Sequence, residues 1–205
     1  AIATTVRAGK TPLATLGDCC QVIPVMAGLE RAGLKPALVW IDCHGDFNTW
    51  ETTPSGFLGG MPLAMLTGRG DQRMMRAGGL SPLDDSRVVL SDGRDLDPGE
   101  RQLVEASGIR FVPDLLALDS ALLPDGPLLL HFDTDIIDAT EAPAFLYPAR
   151  GGPTAEETRR QLEKIMASGR VVAVSTTVGW TPAKDANGMT QAAVRHAMKG
   201  LMAGT

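Results

Sequence analysis

Basic runs, long apolar runs and a cysteine framework are all missing from this 205-residue chain. Lys and Arg number 19 against 24 Asp and Glu, a formal net charge of −5, and no cluster of positive charge interrupts the sequence. The electrostatic footprint of a nucleic-acid binder, or of a protein drawn to anionic membranes, is therefore lacking. No apolar stretch approaches the length of a transmembrane span, and the first residues do not read as a secretory signal. Three cysteines, two of them adjacent at Cys19 and Cys20, do not make a disulfide scaffold and point to a reducing, cytoplasmic setting. Repeats, low-complexity tracts and linkers are lacking too. The expectation is one domain over residues 1–205 with a sizeable core.

What the sequence does have is alternation. "PALVWIDC" (36–43), "RVVLSDG" (87–93), "GIRFV" (108–112), "PLLLHFDTD" (127–135) and "RVVAVSTTV" (170–178) read as buried strands. Between them lie helical patterns: one from about Cys20 to Gly33, one opening near Pro98, one from "TAEE", and one over most of 189–203. Thr154 and Glu157 form a capping-box pair at the third of these. Strands alternating with helices predict an α/β fold, a mainly parallel sheet covered on both faces, with ligands at the carboxyl ends of its strands.

Two strand ends carry the chemistry. "VWIDCHGDFNTWETTPSG" (39–56) places Asp42, His44 and Asp46 at period two, and "LLLHFDTDIIDATEAPA" places His131, Asp133 and Asp135 likewise. Side chains at i, i+2 and i+4 of an extended segment share a face, so each end presents carboxylates and an imidazole together. A lone D-x-D is usually a solvated loop. Two such clusters in one parallel sheet predict a site for one or two divalent cations, and mixed imidazole and carboxylate ligation suits Mn, Fe, Co or Zn better than calcium.

"WIDCHGDFNTWETTPSG" resembles the D-A-H-x-D-x-N-T…S-G signature of the ureohydrolase family, which includes arginase and agmatinase. "HFDTDIIDATEAPA" resembles its S-F-D-x-D-x-x-D-P-x-x-A-P block, "GDCC" (17–20) stands where the family has G-D-H-S, and "SDGRDLDPGE" (91–100) resembles G-x-R-D-x-D-x-x-E. The four motifs follow in family order. The resemblance implies a three-layer α/β/α sandwich, arginase-like but with a shortened N-terminal part, and a binuclear Mn2+ centre. By motif position Asp42 and Asp133 would bridge both metals. Asp46 and Cys19 would complete one shell, and His44 with Asp135 the other. A hydroxide generated between the metals would attack the guanidinium carbon, with Asp46 as the catalytic carboxylate. Asn48, Ser55, Asp97 and Glu100 match the positions that hold the head group of an amino-acid substrate. Asn48 and Ser55 would donate to a carboxylate, and Asp97 and Glu100 would take an ammonium. A small guanidino compound is the expected partner, and a homo-oligomer the expected assembly.

Three positions depart from the family pattern. Cys19 replaces a histidine, and a thiolate there would retune the first metal toward Zn2+ or Fe2+, or leave one tight ion. Gly59 stands where "SGxxHGxP" carries a proton-shuttling histidine, and Val178 or Gly179 where E-V-x-P carries the guanidinium glutamate. Cys19 with "DxHGDFNT" and "FLGGM" looks most like the branch that hydrolyses Nω-hydroxy-arginine, whose less basic leaving group needs less proton help. Two other readings stay open. One is a catalytically impaired member serving as a metal- or ligand-binding subunit. The other is a deacetylase-type site with one zinc at His44, Asp42 and Asp133, which the lack of a histidine pair and tyrosine motif disfavours. His131 is read as core or a neighbour of the ligands, His196 as surface, Trp40 and Trp50 as packing residues, and Arg94 with Asp95 as a structural pair. Met61, Met65, Met74 and Met75 are read as core or subunit contact.

Overall fold

Six short runs form the strands of one sheet in the computed structural model, which describes residues 1–202. They are β1 (Leu13–Leu16), β2 (Ala37–Asp42), β3 (Val88–Asp92), β4 (Arg110–Val112), β5 (Leu128–Asp133) and β6 (Val171–Thr177), ordered β1-β6-β5-β2-β3-β4. Every pairing is parallel. The helices are α1 (Ile2–Arg7), α2 (Val22–Arg31), α3 (Pro62–Leu66), α4 (Arg73–Gly78), α5 (Pro98–Ala106), α6 (Ala155–Met166) and α7 (Met189–Met198).

The strands bury both faces, as apolar runs without alternation require. Leu38, Trp40, Val88, Leu90 and Leu129 pack with Ile23, Met26, Leu63 and Met65 from α2 and α3. Their sequence neighbours Ala37, Val39, Ile41, Leu128 and Leu130 face the other way, onto Leu162, Ile165, Val194 and Ala197 of α6 and α7. Three layers result, as expected from the sequence. Helix ends follow local chemistry. Gly33 sits at φ +86° just beyond α2, and Thr154 and Glu157 exchange side chain-to-backbone hydrogen bonds at the start of α6.

The chain builds outward from β2 to β3 and β4, then returns to place β5 on the opposite side of β2. The β2/β5 boundary is thus a topological switch point, where the connections leave in opposite directions and open a crevice above the strand ends. Asp42 ends β2 and Asp133 ends β5, at that crevice.

Some elements differ from the sequence reading. Strand β1 and the short helices α1, α3 and α4 were not expected. The last helix ends at Met198 and tightens into a 3-10 turn over Lys199–Met202, while position 203 lies outside the described residues. Arg94 pairs with Asp92 at 2.9 Å rather than with Asp95, because its side chain turns back under the sheet edge toward the Ile136 and Ala149 carbonyls. Trp40 is fully buried, but Trp50 is 47% exposed, its indole N–H reaching Asp71 at 3.4 Å. Met61, Met65 and Met75 are core and Met74 packs at its margin. His196 sits at the surface, 2.7 Å from Glu156.

Candidate metal centre

A cavity of about 590 Å³ opens over the switch point. All ten residues expected from sequence line it: Cys19, Asp42, His44, Asp46, Asn48, Ser55, Asp97, Glu100, Asp133 and Asp135. Asp42, Asp46, Asp133 and Asp135 are each buried. Four carboxylates in so little solvent repel one another strongly unless a cation or protons neutralise them.

Two donor groups emerge. In the first, single ligand atoms of Cys19, Asp42, His131 and Asp133 all lie within 4.8 Å of one another; in the second, those of Asp42, Cys43, His44 and Asp135 do. Asp42 belongs to both, as a bridging carboxylate must. Asp133 falls in one group and Asp46 in neither, although Asp46 lines the same cavity. His131 and Cys43 are members that the sequence reading did not assign. The signal for His131 was present, since it shares strand parity with Asp133. Cys43 follows the last residue of β2, where the chain leaves the strand, and period-two reasoning no longer applies there.

Local contacts position these groups. Cys19 follows Asp18, whose carboxylate accepts the Cys20 N–H and starts a 3-10 turn ahead of α2. Its thiol donates to Asp133 Oδ2 at 3.0 Å and lies 3.2 Å from Thr177 Oγ1. Asp42 Oδ1 accepts the His44 N–H at 2.8 Å, and the Trp40 indole N–H reaches Asp42 Oδ2 at 3.3 Å. His44 Nδ1 stands 3.4 Å from Asp42 and 3.5 Å from Asp135. The Cys43 thiol donates to Asp135 Oδ1 at 3.1 Å. Asp46 takes the left-handed conformation at φ +49°, held there because its carbonyl accepts the Leu63 and Ala64 N–H groups at the start of α3.

The electrostatics suit a cation. Burial pushes Asp46 and Asp133 well above the carboxylate range, with Asp42 adding to both, Asp133 to Asp46, and Asp135 to Asp133. Burial and Asp42 push Asp135 up to about 7. Burial alone would lower His44, but the hydrogen bond and charge of Asp42, with Asp135 and Asp46, raise it to about 11. Burial dominates the lowering of His131 to about 4, so that imidazole is neutral. Burial also raises the Cys19 and Cys43 thiols. Among the described residues, Asp46 Oδ2 and His131 Nε2 are buried without a hydrogen-bond partner. Orphaned buried acceptors beside clustered carboxylates fit divalent metal.

The four residues expected from the sequence to hold a substrate head group also line the cavity. Asn48 donates to Asp97. Glu100 accepts the Phe47 and Asp97 N–H groups, so both its oxygens already serve the backbone, and burial raises it to about 7. Ser55 lies on the exposed rim, accepting the Phe57 N–H. Gly59 and Gly179 also line the cavity; Val178 does not. Phe57, Leu146 and Tyr147 add aromatic and aliphatic surface to the cavity. The Phe57 and Tyr147 rings lie 5.5 Å apart, and Tyr147 meets His44 edge-on at 6.3 Å.

The family model described as "Arginase family" matches residues 1–204. Arginase from Bacillus caldovelox is 32% identical over 213 aligned positions, covering 97% of this chain and 70% of that protein. Arginase from Brevibacillus brevis is 31% identical, covering 89% and 65%. The N(omega)-hydroxy-L-arginine amidinohydrolase of Streptomyces lavendulae is 35% identical over 159 positions, covering 74% and 55%. The chain thus spans between 55% and 70% of these curated relatives. The solved Bacillus caldovelox arginase superposes with a TM-score of 0.86 at 30% identity, over 100% of this chain and 72% of that one. Bacillus cereus arginase gives 0.87 at 26% identity, covering 100% and 74%.

Proposed function

Because the chain belongs to the arginase family, we propose that it is a metal-dependent hydrolase cleaving a C–N bond of a guanidino or amidino compound. The substrate we favour is an arginine-like amino acid, N-hydroxylated at the guanidine. One observation carries the reading: Asp42, Asp46, Asp133 and Asp135 are buried together in a single cavity with Cys19 and His44. Cations would neutralise the mutual repulsion that this burial imposes.

The residues that would hold two divalent ions are Cys19, Asp42, His44, Asp46, Asp133 and Asp135, and Asp42 belongs to both donor groups. Manganese is the family's ion, and the thiol of Cys19 favours zinc or iron at its side. When bound, such ions supply Lewis acidity that polarises a guanidine and generates a nucleophile from water near neutral pH. The protein residues do the rest. Asp46 would accept the proton of the attacking water, a role supported by its buried, unpartnered Oδ2. Asn48 and Asp97 orient the α-carboxylate and α-amine, and Ser55 meets the carboxylate from the rim. Phe57, Tyr147 and Leu146 exclude water with their apolar surface.

Substrate basicity follows from what faces the tail. Gly179 presents no carboxylate to a guanidinium, and Leu146 lies where a side chain there would point, 3.4 Å from a β-carbon built on Gly179. A fully charged guanidinium would lose its water without gaining a partner. A less basic N-hydroxylated guanidine is penalised less. Steady-state kinetics with Mn2+ and with Zn2+ on arginine, Nω-hydroxy-arginine and agmatine test this. The hydroxylated substrate should lead. Agmatine matching it would overturn the head-group assignment. Metal binding without turnover of any of the three would favour the impaired-subunit reading, which Gly59 and Gly179 support. A homo-oligomer belongs to the same reading and is checked by light scattering.

A further inference from the structure

His131 is an anomaly in the sheet. It is fully buried in the middle of a parallel sheet. Its register neighbours are Trp40 on β2 and Ser175 on β6, and it contacts both side chains. The Trp40 and His131 rings lie 4.0 Å apart, and His131 Nδ1 lies 3.0 Å from Ser175 Oγ. This row fixes the ring plane and occupies Nδ1. Nε2 has no hydrogen-bond partner among the described residues, although a buried imidazole nitrogen left unpaired is costly. A ring nitrogen of His131 lies within 4.8 Å of ligand atoms from Cys19, Asp42 and Asp133.

We propose that His131 Nε2 is the imidazole ligand of the inner metal position, completing with Cys19, Asp42 and Asp133 a one-sulfur, one-nitrogen, two-oxygen donor set that selects Zn2+ over Mn2+. The inference rests on the site being a metal centre, as proposed above. Position 19 offers sulfur where the family motif has imidazole; one alternation before Asp133, the chain offers an imidazole from β5 instead. Ser175 plays the part that second neighbours of metal-bound histidines usually play, accepting the Nδ1 proton and so directing the Nε2 lone pair at the ion. Four donors of this kind match zinc's preferred number and chemistry, whereas manganese prefers more oxygen ligands.

The chain has three histidines, which makes the test direct. In the 15N-labelled double variant H44Q/H196Q only His131 remains, and long-range proton–nitrogen spectra report its two nitrogens without altering it. On adding Zn2+, Nε2 should leave the position of an unprotonated, pyridine-type nitrogen for that of a metal-bound one, while Nδ1 keeps its proton. In the otherwise native chain, Co2+ should give a sulfur-to-cobalt charge-transfer band that C19S abolishes. H131Q should weaken Zn2+ binding beyond the roughly 10–100-fold that loss of a merely supporting neighbour gives, with Mn2+ affinity changed far less. If H131Q does not fold, the H44Q/H196Q spectra decide alone. Zn2+ bound in stoichiometric amount with Nε2 unmoved would overturn the inference and leave the metal-centre reading intact. No binding of Zn2+, Co2+ or Mn2+ to the unmodified chain would overturn that reading, and this inference with it.

Discussion

Asn48 Nδ2 donates to Asp97 Oδ2 across 2.9 Å, tying the loop after β2 to the start of α5. Thr52 Oγ1 donates in turn to Asn48 Oδ1 at 2.9 Å, so the amide is oriented from both ends. The Asp97 carboxylate also begins α5 in a capping box with Glu100, so an incoming ammonium would share it with Asn48 and the helix start. Asp97→Asn keeps an acceptor for Asn48 but removes the charge. It should raise KM for an α-amino-acid substrate about 10–100-fold, the worth of one charged hydrogen bond, with kcat little changed. A guanidino acid lacking the α-amine should show no such rise. Equal effects on both substrates would mean that Asp97 acts through loop geometry and not through the amine.

The carboxylate cluster was legible in the sequence because two apolar runs end on it: Asp42 and Asp133 are the last residues of β2 and β5, and His44 and Asp135, just past those ends, line the same cavity with their backbone N–H groups on the Asp42 and Asp133 carboxylates. The buried strands β2, β3, β5 and β6 announced themselves as apolar runs. Strand β1 did not. "LATL" is four residues on a sheet edge with alternate exposure, and only pairing with β6 defines it. The helices α1, α3 and α4 have five or six residues each, too short for a helical period to emerge. Glu100 shows why a motif position alone decides little. Its match to a substrate-binding position and its place as an acid at a helix start, both readable in "LDPGE", occupy the same carboxylate, and the two hydrogen bonds it accepts show both oxygens engaged by the backbone. The contact of Cys43 with Asp135 depends on the chain's turn out of β2, which no local pattern encodes.

Without metal, the buried carboxylates oppose folding, and Asp133 stands among them. Asp133→Asn removes one charge from the cluster and keeps an acceptor for the Cys19 thiol. It should strip bound metal and raise the melting temperature of the metal-free protein by roughly 2–4 °C, about 1 kcal/mol for a domain of this size. Elemental analysis and calorimetry in chelator give both values. Undiminished metal content in the variant would contradict a ligand role for Asp133.

The pH dependence of the metal-free protein follows from the same groups. Asp135 and Glu100 are raised to about 7, and Asp46 and Asp133 are raised as well. Between pH 4 and 7 the folded state therefore holds more protons at these sites than the unfolded chain, so stability falls as pH rises. His44, held at about 11, adds a further loss above pH 6.5. His131, lowered to about 4, acts in the opposite direction between pH 4 and 6.5, one group against four. In chelator the melting temperature should be about 5 °C higher at pH 5 than at pH 7.5. With saturating Zn2+ the order should reverse, because protons and cation compete for the same oxygens. A flat profile in chelator would mean that these carboxylates ionise freely.

The proposed ligand role of Cys19 can be tested by the ion it would favour. Cys19→His replaces sulfur by nitrogen at the start of the 3-10 turn that precedes α2, and imidazole matches a harder cation better than thiolate does. Mn2+ affinity measured by titration calorimetry should rise about tenfold or more, and Zn2+ should lose part of its advantage. No gain for Mn2+ would remove Cys19 from the ligand set and favour a single tight ion at the side of His44.

Gly59 offers the sharpest link between packing and catalysis. A β-carbon there would lie 2.3 Å from Phe57 Cε1, 2.5 Å from Phe57 Cζ and 2.9 Å from Asp18 Oδ2. Phe57 is 45% exposed, so its ring can swing toward solvent, giving up its contact with Tyr147. Its ring thus occupies the space in which a histidine at 59 would stand. Gly59→His alone should cost about 1 kcal/mol or less, the scale of one aromatic contact. Combined with Phe57→Ala, it should place an imidazole at the cavity wall without that collision. If proton delivery to the leaving amine limits turnover, the double variant should raise kcat for arginine about 10-fold or more, general acid catalysis typically contributing more than that. Nω-hydroxy-arginine, with its less basic leaving group, should gain little. Equal gains on both substrates would show that Phe57 limits access and that the missing acid is not what separates them. No gain on either, with metal bound, would place the deficit at Gly179, where no side chain receives the guanidinium.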